Sequence, residues 1–188
     1  MDADLKLVAK QAKKLKKEAK EAAARLAAAQ QAVGADVDLS GLSAEDIANL
    51  NSTGGALPVH GRMGAGYGAT GSWSRYHTGQ DFPAPTGTPI YAAASGVVLS
   101  PTNGGWAGIN VVIQHSNGGA TLYAHMSKKV VSPGSTVKAG QLIGYVGTTG
   151  RSFGAHLHFE YYAPGATPGD VYNASNPLTF LRSLGVKI

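Results

Sequence analysis

The sequence predicts a mainly β protein, a small antiparallel β-sheet or sandwich preceded by an N-terminal α-helical, coiled-coil-like segment. Three observations carry this. Residues 4 to about 33 are dense in Ala, Lys, Glu and Leu, all good helix formers. From Thr88 onward, short β-branched and aromatic runs alternate with turn signals, with no helical stretch between them. Gly is abundant at 26 residues and charged residues are sparse at 14%, which suits a turn-rich β domain. The chain of 188 residues is thus expected to divide into a helical segment over 1–52, a Gly-rich linker over 53–71 and a β domain over 72–188.

In the helical segment, Leu5, Val8, Ala12, Leu15, Ala19, Ala22, Leu26, Ala29 and Val33 follow an alternating three-four spacing. That is an a/d seam over about four heptads, the pattern of a coiled coil or helical hairpin. Several seam positions are only Ala, so each layer buries little apolar surface and an isolated dimer would be weak. A helical partner or a homo-oligomer through residues 5–33 is therefore expected. Gly34 ends the segment. A short second helix follows, with Ser43 as N-cap and Asp46 in the reciprocal capping position, ending near Asn51.

Residues 52–76 read as loop, with Gly54-Gly55 and a Gly-rich stretch over 61–71 that runs toward the rim of any site. Strands are expected over 89–94, 96–100, 110–115, 121–125, 141–146 and 156–161. Asn103-Gly104-Gly105, Ser116-Asn117-Gly118-Gly119 and Ser132-Pro133-Gly134 supply turns between them. A short helix near 177–184 closes the chain.

Composition excludes several function classes. No apolar run reaches the roughly eighteen residues that a membrane span needs. The chain has no Cys, hence neither a disulfide framework nor a thiolate metal site. The net charge of +5 is unevenly placed, with seven lysines between Lys6 and Lys20. No aromatics are interleaved with them to stack bases, so they read as a solvated helix face and no nucleic-acid partner is expected.

The chemistry lies in three histidine clusters. These are His77-Thr78-Gly79-Gln80-Asp81, Tyr123-Ala124-His125-Met126 and His156-Leu157-His158-Phe159-Glu160. In a strand, side chains alternate faces, so His156 and His158 project together while Leu157 and Phe159 face the core. One imidazole of this pair can bind a metal while its neighbour sits near enough to act on a water there, and Glu160, on the same face, can orient a ligand. His77 and Asp81 flank Gly79 in a segment broken by Pro83 and Pro85, a loop or edge-strand setting. His-x3-Asp alone arises often by chance, and a histidine closing a strand is commonly a hydrogen-bonded structural residue. His115, at a strand end, and His60, in the linker, receive no catalytic role, and His60 is kept only as a candidate occupant of the open metal position in a latent form.

Together the pieces resemble the lysostaphin-type zinc peptidases, the LytM or M23 family. The resemblance rests on His77-x3-Asp81, on Leu122-Tyr123-Ala124-His125-Met126-Ser127 and on His156-Leu157-His158-Phe159-Glu160. It extends to Gly134-Ser135-Thr136-Val137-Lys138-Ala139-Gly140-Gln141-Leu142-Ile143-Gly144 and to Gly147-Thr148-Thr149-Gly150, and spans about Arg62 to Tyr162. It implies a small antiparallel β peptidase domain in which His77, Asp81 and His158 bind Zn2+ and His125 and His156 are the catalytic histidines. It implies a zinc-activated water attacking peptide bonds in the stem peptides or crossbridges of bacterial peptidoglycan.

Two other readings remain beside this one. One is a non-hydrolytic wall-binding or regulatory module on the same fold, and the other a structural tail-assembly protein led by its helical seam. Met1 to Lys6 lack the apolar core of a secretory signal. A wall hydrolase without that signal is expected as a bacteriophage tail component in the virion, a lysin released from the host cell, or a processed bacterial enzyme.

Overall fold

An antiparallel sheet organises the computed structural model, which describes residues 54–102 and 105–188. The heptad seam and second helix expected within 1–52 lie outside these residues, as do Asn103 and Gly104 of one expected turn. The strands are β1 (Gln80–Pro83), β2 (Pro89–Tyr91), β3 (Gly96–Leu99), β4 (Ile109–Gln114), β5 (Ala120–Lys129), β6 (Thr136–Val137), β7 (Leu142–Val146) and β8 (His156–Tyr162). Helix α1 (Pro177–Ser183) follows, capped by the Asn176 side chain, which accepts from the Leu178 N–H at 3.0 Å. The sheet runs β1-β8-β5-β4-β3-β6, with β7 joined to both β5 and β2. This is the mainly β, antiparallel architecture expected from the sequence.

Two short strands stand outside the expected set, the first of them in the segment read as a loop or edge strand. β1 falls in the segment flanked by prolines and lies at the sheet's edge, paired with β8, where Pro83 interrupts no central ladder. β6 is only two residues long, too short for any periodicity to reveal it. Strand β5 is longer than expected and changes partners along its length. Its first half pairs with β8 through Ala120 to Ala124, and its second half pairs with β7 from Met126 onward.

His125 sits at that change. Between the Val111↔Tyr123 and Ile109↔Met126 pairs, β5 carries Ala124 and His125 where β4 carries only Asn110. The extra residue makes a β-bulge, which bends the strand and re-aims a side chain. The backbone takes φ +63° at His125, the one non-glycine positive φ among the described residues. Such a conformation costs an L-residue roughly 1–2 kcal/mol, so the surrounding contacts must hold it.

The two faces of the sheet have different work. Leu157 and Phe159 of β8, Tyr123 of β5 and Phe82 of β1 point into the main core, where Phe180 and Leu181 of α1 also pack. Each fully buried apolar side chain of this size contributes roughly 1.5–3 kcal/mol. On the opposite face, Leu122, Val112 and Tyr162 form a smaller cluster against Trp106 and Tyr67. Because the period is two, His156, His158 and Glu160 of β8 share that second face.

The Gly-rich stretch expected as a linker lies along the sheet in its described part. Tyr91 N–H donates to the Pro58 carbonyl, Gly64 N–H to Asp81, and Asp81 N–H to Ala65, each at 2.8 Å. Val59 is buried in the main core. The backbone of this stretch is thus satisfied by β1 and β2, and its carbonyls reach the site.

Candidate metal centre

Residues from three parts of the chain meet on the second face. Asp81 of β1 is the register partner of His158 on β8, which in turn is the partner of Ala124, next to His125 on β5. His77 enters from the loop before β1 and is buried, 1% exposed. Gly79 makes that approach possible, since a Cβ there would lie 2.8 Å from His158 Nε2 and collide with the Phe159 carbonyl.

Three ligand-type atoms converge. Asp81 Oδ1 lies 3.0 Å from His77 Nε2 and 2.9 Å from His158 Nδ1, and the two nitrogens are 3.0 Å apart. Among the described residues this is the one His/Asp/Glu group able to hold a metal ion. Four tetrahedral ligands about 2.0–2.1 Å from zinc would stand roughly 3.3 Å from each other, close to the spacing seen. Two neutral imidazoles and one carboxylate are a donor set that suits zinc and leaves a fourth position open.

The electrostatics favour a cation at this point. Burial pushes the Asp81 carboxyl up, but the hydrogen bonds from His158 and His77 outweigh it and hold the group well below the usual carboxylate range. Burial likewise disfavours a charged His158, yet Asp81 on one side and Glu160 on the other raise it to about 9. Glu160 is fully buried, and its carboxylate accepts from His158 Nε2 at 3.1 Å, from the Thr78 hydroxyl at 2.5 Å and from the Tyr162 hydroxyl at 2.5 Å. Two carboxylates on one imidazole make a negative pocket that a divalent cation would neutralise in place of the proton.

Each remaining ring is oriented by a backbone carbonyl. Nδ1 of His77 lies 3.1 Å from Gly66 O, Nδ1 of His125 2.9 Å from Thr149 O, and Nδ1 of His156 2.8 Å from Gly154 O. Each carbonyl can only accept, so each Nδ1 carries a proton, and Nε2 is the ring atom turned away from that carbonyl. His158 is reversed, donating from Nε2 to Glu160 and turning Nδ1 to the cluster. His156 Nε2 is 3.7 Å from Asp81 Oδ1, and the His125 and His156 ring centroids are 4.8 Å apart. Burial, with the charge on His158, lowers His125 to about 4 and keeps its ring neutral. The five sequence-nominated residues therefore stand in one site.

A groove of about 570 Å³ passes over them. Its walls include Trp73, Tyr76, Trp106, Arg151, Phe153 and Tyr172. Trp106 meets the His158 ring edge-on at 5.6 Å, and Trp73 lies 4.7 Å from the His77 ring. Tyr76 both lines the groove and packs, its hydroxyl donating to the Tyr172 carbonyl at 3.3 Å. Trp73 stands in a Gly-rich loop and Trp106 in the three-residue 3-10 turn Gly105–Ala107, neither with any periodicity, so nothing local marks them as wall residues. His60 packs against Tyr91 and is absent from the groove lining, and His115 is buried against Phe180.

Comparison with known proteins places this geometry in context. The sequence model of peptidase family M23 matches residues 75–171. The peptidoglycan DD-endopeptidase ShyA of Vibrio cholerae is 45% identical over 102 residues, 54% of this chain and 24% of the relative. The chain spans between a fifth and a quarter of the length of the curated relatives it matches first. The catalytic domain of lysostaphin from Staphylococcus simulans superposes with a TM-score of 0.58 at 34% identity, covering 64% of this chain and 92% of that one. A catalytic-domain variant of the prophage-encoded M23 protein EnpA from Enterococcus faecalis gives 0.58 at 33% identity, over 68% of this chain and 97% of that one.

Proposed function

Because this chain belongs to peptidase family M23, we propose that it is a zinc-dependent endopeptidase cutting peptide bonds in the stem peptides or crossbridges of bacterial peptidoglycan. The observation that carries the reading is the convergence of His77, Asp81 and His158 within 3.0 Å, with His156 Nε2 3.7 Å from Asp81 Oδ1 and the His125 ring beside those of His156 and His158. His77 Nε2, Asp81 Oδ1 and His158 Nδ1 would hold the ion. Zinc bound there supplies Lewis acidity for the scissile carbonyl and lowers the pKa of water. Nε2 of His125 or of His156 accepts the proton of the attacking water and, once protonated, donates to the developing oxyanion and passes that proton to the leaving amine. The groove's aromatic walls hold the peptide and exclude bulk water.

The similarity to a peptidoglycan DD-endopeptidase and to lysostaphin supports a cell-wall substrate. The intact pair His125 and His156 favours hydrolysis over a purely wall-binding role. The similarity to a prophage-encoded protein supports a bacteriophage setting, with the heptad seam over residues 5–33 joining the enzyme to a tail or to a second copy. Among the described residues no helix is long and apolar enough to cross a membrane.

The test is digestion of purified sacculi of known crosslink type by the zinc-loaded protein, with mass spectrometry of the released peptides. New amine and carboxyl termini within crosslinked stems, lost on chelation and restored by zinc, are expected. Intact sacculi of every wall type after incubation would overturn the proposal. Detection of the chain in purified virions tests the phage setting, and a monomer in sedimentation at micromolar concentration would remove the self-association.

A further inference from the structure

His125 occupies a place that its own strand does not stabilise. It is the unpaired residue of a bulge, at φ +63°, where β5 leaves β8 for β7. Something outside the ladder has to hold it. Among the described residues, the backbone contact its ring nitrogens make is from Nδ1 to the Thr149 carbonyl, at 2.9 Å.

Thr149 reaches the same bulge a second way. Its hydroxyl donates to the Met126 carbonyl at 2.6 Å and accepts from the Ile109 N–H at 2.9 Å. Ile109 and Met126 are the register partners that close the bulge. One side chain thus bridges the two strands at the closing pair, while its own carbonyl fixes the ring that the bulge projects. The fit is close. Gly108 has φ +60°, and a Cβ there would collide with Thr149 C and Oγ1, so the loop before β4 is pressed directly onto this residue.

Resting on the reading of His125 as a catalytic residue, we propose that Thr149 is a positioning residue whose hydroxyl locks the β4–β5 bulge and whose carbonyl thereby keeps the proton on His125 Nδ1. The lone pair of Nε2 then faces the substrate in every turnover. Without the hydroxyl, the bulge relaxes toward ordinary extended backbone, the Nδ1 contact lengthens and the ring samples both tautomers.

The experiment compares Thr149→Val, Thr149→Ala and Thr149→Ser as zinc-loaded full chains on a soluble crosslinked muropeptide. Zinc content is measured alongside, and the His125 tautomer is read by long-range 1H–15N correlation spectra. Val and Ala should lower kcat about 10- to 100-fold while KM stays within about twofold. They should keep their zinc and mix the His125 tautomers, and Ser should restore both kcat and the single tautomer. If Val does not fold, the contrast between Ala and Ser decides. Folded, zinc-bound Val and Ala proteins with wild-type kcat and a single tautomer would overturn the proposal, as would a Ser protein no better than Ala. His125→Ala separates the two levels. Full hydrolysis in that variant removes the catalytic reading of His125, whereas the tautomer signal in the Thr149 series still decides what Thr149 does to the ring.

Discussion

Asp81 and His158 face one another across the β1–β8 pair as register partners, with Oδ1 2.9 Å from Nδ1. A sheet edge thereby sets the distance between two proposed metal ligands through backbone pairing. Side-chain reach contributes little, which is why a strand of only four residues suffices. Asp81→Asn keeps the shape of the side chain and removes its charge. Zinc affinity, measured by competition with a chromophoric chelator, should fall by more than the roughly 10- to 100-fold expected for an outer partner. Unchanged affinity would mean that Asp81 does not hold the ion.

Glu160 is the outer partner itself. It has no exposure and receives His158 Nε2, Thr78 and Tyr162 together. Glu160→Gln replaces an acceptor-only group by one that must aim an NH2 at one of these donors. Zinc affinity should drop about 10- to 100-fold while the protein still folds. An effect on thermal stability alone, with affinity intact, would limit Glu160 to packing.

Phe153 should act on substrate capture. It is 89% exposed, and of the six exposed large apolar side chains among the described residues, Trp73, Phe153 and Tyr172 line the same groove. Such clustering is not expected of apolar residues scattered over a surface. Phe153→Ala should raise KM about tenfold on crosslinked peptide with kcat little changed, the signature of lost uniform binding. A fall in kcat at constant KM would place Phe153 in the chemistry.

His115 gives stability a pH dependence separate from the site. Its Nδ1–H donates to the Ser95 carbonyl at 2.9 Å, its Nε2 lies 2.9 Å from Thr121 Oγ1, and the ring stacks on Phe180. Burial holds its pKa down at about 4, against the ordinary 6.5. The unfolded chain therefore takes up this proton from about pH 6.5 downward and the folded chain does not, so stability present above that pH is lost as pH falls toward 4. The loss between about pH 7 and pH 5 should be roughly 2 kcal/mol. Urea unfolding of the zinc-loaded protein and of His115→Phe should show that difference in their pH slopes. Parallel slopes would contradict it.

Much of this was legible in the sequence because the period of two is strong where both faces are specified. In His156-Leu157-His158-Phe159-Glu160 every second residue is apolar, and the strand, its core face and its polar face follow from that alone. β6, with two residues, and the continuation of β5 beyond His125 were not legible, since they depend on which strand lies alongside. The bulge at His125 left no local signal either. His is neither Gly nor Asn, and Thr149, which bridges the pair closing the bulge, is distant in sequence. The proposed division between metal-holding and proton-moving imidazoles came from family resemblance. The structure adds a physical distinction between the two histidines of β8: His158 turns Nδ1 to Asp81 and donates from Nε2 to Glu160, whereas His156 turns Nδ1 to the Gly154 carbonyl and Nε2 toward Asp81.

That distinction gives the most direct test, in two neighbours on one strand face. Zinc stoichiometry and hydrolysis of crosslinked peptidoglycan would be measured for His156→Ala and His158→Ala side by side. His156→Ala should keep about one zinc per chain and lose roughly 10²- to 10⁴-fold in kcat. His158→Ala should lose the zinc and the activity together. Zinc lost from His156→Ala and retained by His158→Ala would contradict the assignment.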